Sequence, residues 1–413
     1  VELISDDQLD GQGQLTMFHP SEVELFETTR KVLEAVDRVN PARMVLDSLS
    51  ELRLLSQSSL RYRRQILALK QFFVGRTCTL ILLDDRTAEG ADIQPQSIAH
   101  GVIALEALAP PYGRSRRGVQ VLKFRGSDFS SGFHDFVIRG GGLTVFPRLV
   151  AANHRKGFER DFIASGVTAL DTLLGGGVER GTSTLLIGPP GCGKSTIAMQ
   201  YTVAAVQRGD RAAVFTFEES MAAMSARCSG IGLDIAGGVE SGRLRVRQIY
   251  PAEISPGEFA CEVRRSVEHD HARVVVIDSL NGYLNAMPND RFLAAQLHEL
   301  LAYLSNQGVA TFMVVAQSGI MGSMTSPVDA SYLADAVVML RFFEHQGNVK
   351  KAISVLKKRT GAHEESIREM WFDGDGIHLS EPLLNLRGVL TGLPVDIRDA
   401  NETGQPDMSD VAR

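Results

Sequence analysis

Eight consecutive residues, Gly188-Pro189-Pro190-Gly191-Cys192-Gly193-Lys194-Ser195, carry the most specific chemistry in this chain. They fit G-x-x-x-x-G-K-[ST] at every fixed position. Glycines at 188, 191 and 193 let backbone N–H groups, that of Cys192 included, converge on phosphate oxygens. Lys194 would bridge the β- and γ-phosphates, Ser195 would hold Mg²⁺, and Thr196 completes the nucleotide-binding set. The Cys192 thiol is expected to face phosphate without a role of its own.

Other residues suit the same chemistry. Asp278 ends a run of four apolar residues. A carboxylate at the end of a buried strand suits the Mg²⁺ water shell, and a helix cap is the competing reading. Glu218 and Glu219 end the apolar run Ala212–Phe217. One would polarise the attacking water or hydroxyl, and the other (Glu219) would hold Mg²⁺ or tune its neighbour. A solvated start to the next helix is the alternative. Lys357 and Arg359 stand two apart in an expected strand, so they share a face while Lys358 takes the other. Two cations aimed together would stabilise a transferring phosphate. Lys123 and Arg125 repeat that pattern. Gln317, just after the run Ala310–Ala316, would sense the γ-phosphate or cap a turn. Arg114, Arg116 and Arg117 read as a solvated hairpin tip, and Trp371 as core.

These groups need a scaffold. Around the loop, strand-like runs at 183–187, 212–217, 273–278 and 310–316 alternate with helix-like runs at 195–207 and 292–304. Such alternation implies a parallel α/β sheet. Residues 334–379 read as antiparallel strands and hairpins. Segments also recur. Pro41–Leu49 matches His271–Leu280, and Val121–Arg125 matches Val355–Arg359. A repeat of this length means duplicated domains. We expect a first domain over residues 1–150, a linker over 151–164, a second domain over 165–393, and a flexible acidic tail over 394–413. Subtracting the offset between Asp47 and Asp278 from Lys194 puts a first-domain loop lysine about 37 residues before Val1. The expectation is two loops in the full protein, with only the second present in these residues.

The formal net charge of −6 argues against a dedicated nucleic-acid coat. Four scattered cysteines show no metal spacing and fit a reducing, cytoplasmic setting. No apolar run is long enough to cross a bilayer.

Four features together resemble the KaiC family of double-domain RecA-like ATPases. They are Ser165–Asp171 before Gly175-Gly176-Gly177, the loop, Phe217-Glu218-Glu219-Ser220, and the twice-used K-x-R. The resemblance covers residues 1 to about 390. It implies tandem RecA-like P-loop domains, ATP and Mg²⁺ as cofactors, and a hexameric ring with ATP between subunits, open to regulatory protein partners. Lys357 and Arg359 would act on the neighbour's nucleotide. The resemblance further implies autophosphorylation in a signalling or timing role. Ser331-Tyr332-Leu333-Ala334-Asp335 matches the acceptor stretch, with Ser331 as acceptor and Tyr332 in place of Thr. Thr325 and Ser326 are further acceptors. Ser97-Ile98-Ala99-His100 lacks the Asp, which implies no phosphorylation in the first domain. Two other classes stay open: a RecA-like DNA-dependent ATPase of recombination or repair, and a non-catalytic scaffold assembled by ATP.

Overall fold

The structure is a computed structural model and describes residues 20–56, 58–85, 94–110, 112–285, 293–317, 331–391 and 394–396. The chain packs as two compact units. One holds the residues up to 104 and 120–131, the other 105–119 and 132 onward.

The first unit runs α1 (Pro20–Val39), β1 (Arg43–Leu46), α2 (Leu49–Ser56), α3 (Ser59–Phe73), β2 (Thr79–Leu82) and α4 (Gln94–Ile98). β3 (Gly101–Leu108) and β4 (Arg116–Phe124) each run from one unit into the other. In α3, Tyr62, Ile66, Leu69 and Phe73 fall at helical spacing and are buried. Tyr62, Ile66 and Leu69 meet Leu46, Leu49, Leu52 and Ile98 in a small core. β1 and β2 pair in parallel, with Arg43 opposite Thr79.

From residue 132 onward the second unit runs through the hairpin β5 (Phe133–Arg139) and β6 (Gly142–Phe146). There follow β7 (Phe162–Ile163), α5 (Thr168–Leu173), β8 (Val178–Glu179), β9 (Ser183–Gly188), α6 (Lys194–Gln207), β10 (Ala212–Thr216), α7 (Met221–Ser229), α8 (Ile235–Glu240) and β11 (Leu244–Gln248). Next come α9 (Pro256–Glu268), β12 (Val274–Asp278), α10 (Leu280–Asn285), α11 (Leu293–Asn306), β13 (Ala310–Ala316), β14 (Ala336–His345), β15 (Asn348–Lys358), β16 (Arg368–Asp373) and β17 (Gly376–Pro382). Nine strands form one sheet of order β11-β10-β12-β13-β9-β14-β15-β16-β17. Pairing is parallel from β11 to β14 and antiparallel from β14 to β17. β14 is the seam, because it runs parallel to β9 and antiparallel to β15.

Continuous apolar strands are what a sheet covered on both faces requires. Leu186, Val214, Val276 and Val314 pack on one face with α6. Leu185, Ile187, Val275, Ile277, Met313 and Val315 pack on the other with α9 and α11. α6 is buried almost all round, which suits the apolar and small residues along most of its length.

The repeat holds in the backbone. Val274 sits opposite Ala310, the same offset from Arg43 and Thr79 on both strands. The Asp47–Ser48 and Asp278–Ser279 peptide bonds are both cis.

Four expectations change. Residues 151–154 form a 3-10 turn, and the expected linker is docked on the second unit. The Ala151 N–H donates to Glu299, and Asn306 donates to the Ala151 carbonyl. Arg116 is not a solvated tip, because its guanidinium donates to the Ile254 and Pro251 carbonyls. Trp371 is 42% exposed. Alternation along β16 gives the core face to Met370 and Phe372, and Trp371 stacks on His378 across the strand pair. Val395–Asp396, in the expected tail, pairs with Leu386–Arg387, while residues 397–413 lie outside those described.

Candidate nucleotide site

Parallel strands deliver their C-terminal ends to one edge of the sheet, where α/β ligand sites are built. Thr216 of β10 pairs with Asp278 of β12, and Ala316 of β13 pairs with Gly188 of β9. The loop, the paired glutamates, Asp278 and Gln317 therefore leave the sheet side by side. Thr325 and Ser326 lie outside the described residues.

Two of the loop glycines are sterically obligatory. A Cβ on Gly188 would fall 2.3 Å from the Leu340 carbonyl, and one on Gly193 would fall 2.3 Å from the Phe372 ring. Gly193 also adopts φ +107 as it caps α6. Lys194 is only 6% exposed and its ammonium donates to the Pro189 carbonyl at 2.7 Å. Burial pulls its pKa below the usual lysine value. Cys192 corrects the expectation of a thiol facing phosphate. It is buried in the core beneath the loop, 3.8 Å from the Lys194 ammonium, and burial raises its pKa.

Asp278 is half-buried at the end of β12, and desolvation raises its pKa despite the neighbouring Ser195 hydroxyl and the nearby Arg227 charge. A hydroxyl beside a half-buried carboxylate is a hard-oxygen donor set, which fits Mg²⁺. Ser279, not Asp278, makes the capping contact considered for this position: its hydroxyl accepts from the Gly282 N–H. The same hydroxyl donates to Glu218 at 2.7 Å.

The paired glutamates diverge. Glu219, expected as a Mg²⁺ ligand, gives both carboxylate oxygens to Arg227, at 3.0 and 2.7 Å. A carboxylate engaged bidentately by a guanidinium has little left for a metal. Glu218 keeps one oxygen without a hydrogen bond among the described residues.

Gln317 donates its backbone N–H to the Gly188 carbonyl at 3.0 Å. Its side-chain oxygen is buried and has no partner among the described residues, an orphan beside the phosphate loop. Asn281 bonds both N–H and C=O of Ala316 and so fixes the end of β13.

The K-x-R pair lies at the opposite edge. Asp335 bonds the Ser183 backbone N–H and hydroxyl at the start of β9. β9 is six residues long, so about 17 Å separates this edge from the loop. Lys357 donates to the Ser331 and Ala334 carbonyls at 2.9 and 2.8 Å, and Arg359 to the Tyr332 carbonyl at 2.9 Å. Lys358 points away, to the Leu174 carbonyl, as alternation requires. The first unit repeats the device. Lys123 donates to the Gln96 and Ser97 carbonyls, and Arg125 to that of Ser97. Both pairs therefore clasp the backbone of the stretch aligned with the acceptor.

Arg227, Ser279 and Asn281 were not picked out from sequence. Arg227 lies two turns along α7, and nothing in its spacing from Glu219 marks it. The Ser165–Asp171 signature, in contrast, has a structural reading. Asp171 accepts from the Ser165 N–H and the Tyr201 hydroxyl, and Gln200 donates to the Ser165 carbonyl, which ties the entering chain to α6. No described helix is long and apolar enough to cross a membrane.

The KaiC ATPase family model matches residues 9–150 and 163–383. Similar proteins include the circadian clock protein KaiC3 of Synechocystis sp. (strain ATCC 27184 / PCC 6803 / Kazusa), 26% identical over 91% of this chain and 75% of the relative. The circadian clock oscillator protein KaiC of Acaryochloris marina (strain MBIC 11017) is 23% identical over 91% of this chain and 72% of its own length. That of Picosynechococcus sp. (strain ATCC 27264 / PCC 7002 / PR-6) is 24% identical over 94% and 75%. With the loop edge built as described and both stretches matched, the chain belongs to the KaiC family of RecA-like ATPases.

Proposed function

We propose that this protein binds Mg²⁺–ATP at the loop edge, hydrolyses it slowly, and passes phosphate to Ser331 of a neighbouring copy in a hexameric ring. The observation that carries the reading is the convergence of Lys194, Ser195, Asp278 and Glu218 on one sheet edge. Lys194 exchanges the Pro189 carbonyl for β- and γ-phosphate oxygens. Ser195 and Asp278 hold Mg²⁺, whose bound charge offsets that developing on the transferred phosphoryl group. Glu218, oriented by Ser279, accepts the proton of the attacking water as its oxygen bonds to the γ-phosphorus. The bond from that phosphorus to the β–γ bridging oxygen breaks, and ADP leaves with the electron pair. Gln317 reports the γ-phosphate to β13.

Lys357 and Arg359 stand about 17 Å from their own loop, so a phosphate they stabilise belongs to a neighbour. Ser331 shares their edge and receives the phosphoryl group from the same neighbouring ATP, its hydroxyl proton passing to that neighbour's Glu218. Lys123 and Arg125 serve a first-unit nucleotide in the same way. The names of the relatives support a circadian-type timing role, and the same reading places the ring in the cytoplasm with regulatory protein partners.

The test compares wild type with Lys194→Ala by phosphate release and by mass spectrometry after incubation with ATP. We expect turnover to fall about 1,000-fold and phosphate on Ser331 to disappear. Equal turnover in the two proteins sinks the ATPase assignment of this loop. Wild-type protein with no phosphate on Ser331 removes the kinase step alone.

A further inference from the structure

We infer that Arg227 is a positioning residue that divides the duties of the paired glutamates, locking Glu219 to α6 so that Glu218 alone acts at the reacting phosphate. The inference rests on the ATPase reading above and adds a residue to it.

The geometry is a three-way clamp. Nε and Nη2 of Arg227 take the two oxygens of Glu219 at 3.0 and 2.7 Å. Its remaining nitrogen, Nη1, donates to the Thr196 hydroxyl at 3.2 Å, two residues past the loop lysine. The backbone of Glu219 is held as well. Its N–H donates to the Thr216 hydroxyl at 3.2 Å, and that hydroxyl donates to its carbonyl at 2.8 Å. Glu219 is thus fixed through side chain and backbone to the end of β10, to α7 and to α6.

Adjacent side chains at a strand end diverge. Glu219 goes to the α6 side, and Glu218 goes to Ser279 and the Asp278 end of β12. Three carboxylates share this edge, and Arg227 is the cation that compensates them without occupying the phosphate position. Only a planar fork can span two carboxylate oxygens and a hydroxyl at once, so lysine is a poor substitute. Loss of Arg227 frees Glu219 to swing toward Glu218 and leaves its charge unpaired.

The experiment is a double-mutant cycle of Arg227→Gln and Glu219→Gln in the full chain, with Arg227→Lys beside it. Each variant is assayed for kcat and KM, for binding of a fluorescent ATP analogue, and for melting temperature without nucleotide. We expect Arg227→Gln to lower kcat about 10-fold or more with analogue affinity within about threefold, a split that general unfolding of the site does not give. It lowers the nucleotide-free melting temperature by about 3–6 °C. Glu219→Gln/Arg227→Gln recovers most of both losses, because the orphaned charge is gone, and Arg227→Lys recovers little. Wild-type kcat in folded Arg227→Gln overturns the inference, as does a cycle in which the two effects simply add. If Arg227→Gln does not fold, an Arg227→Lys enzyme with wild-type kcat is the overturning result. Lys194→Ala run alongside separates the two readings. Its retention of turnover defeats the ATPase reading, whereas its loss together with an additive cycle defeats only the role of Arg227.

Discussion

The two edges of the second unit's sheet treat charge in opposite ways. At the far edge, Lys357, Arg359 and Asp335 bond to carbonyls, an N–H and a hydroxyl, and the cost of ordering them is met within the fold. At the loop edge, Lys194 is buried against a single carbonyl, half-buried Asp278 has its pKa raised by desolvation, and the side-chain oxygen of Gln317 has no partner among the described residues. An edge that stabilises itself reads as a clasp. One that leaves buried groups under-compensated is built for something that arrives.

The sharpest way to break this comparison is Glu218→Gln. It keeps the Ser279 contact and removes the base, so kcat falls about 100- to 1,000-fold with little change in KM. A Glu219→Gln enzyme as slow as that would mean the divergence of the pair has no catalytic meaning. The next test mixes two weak proteins. Lys357→Ala alone loses about 100-fold in turnover, and mixing it with Lys194→Ala restores part of the rate, because one supplies the loop and the other the clasp. Phosphate release that stays at the sum of the two separate rates would confine Lys357 to its own fold.

Smaller effects fall on stability. Asp335→Ala strips partners from Ser183 and Arg359 and destabilises the second unit by about 2 kcal/mol in urea unfolding. Asp278→Asn should do the reverse in nucleotide-free protein, adding about 1 kcal/mol at neutral pH while abolishing turnover. The sign follows from the raised pKa of Asp278. Its folded form holds the proton more tightly than the unfolded chain. Stability is therefore fullest below the unfolded value and declines as pH rises through the folded value. The Asn variant lacks that decline, and melting curves across mildly acidic pH would show it.

Much of this was legible in the residues. The run before Gly188 and the run ending at Asp278 are strands because uninterrupted apolar residues suit a sheet covered twice. The two-residue spacing of Lys357 and Arg359 set them on one face, with Lys358 opposite. What escaped depends on tertiary neighbours. Arg227 finds Glu219 only through the packing of α7 beside α6. Trp371 is exposed because register, not bulk, decides which side of β16 meets the core. The docking of residues 151–154 depends on Glu299 and Asn306, about 150 residues away. Polar composition alone reads such a segment as a linker.

β14 joins the two edges. It starts at the turn that Lys357 clasps, runs in register beside β9 from Thr184 to Ile187, and sets the Leu340 carbonyl against Gly188. A hydrogen-bonded strand pair transmits displacement along its length with little give. In the proposed ring, a pull on one subunit's clasp by its neighbour's phosphate would be felt as strain in that subunit's own loop. News of an occupied site would then travel around the ring one strand at a time, in a single direction.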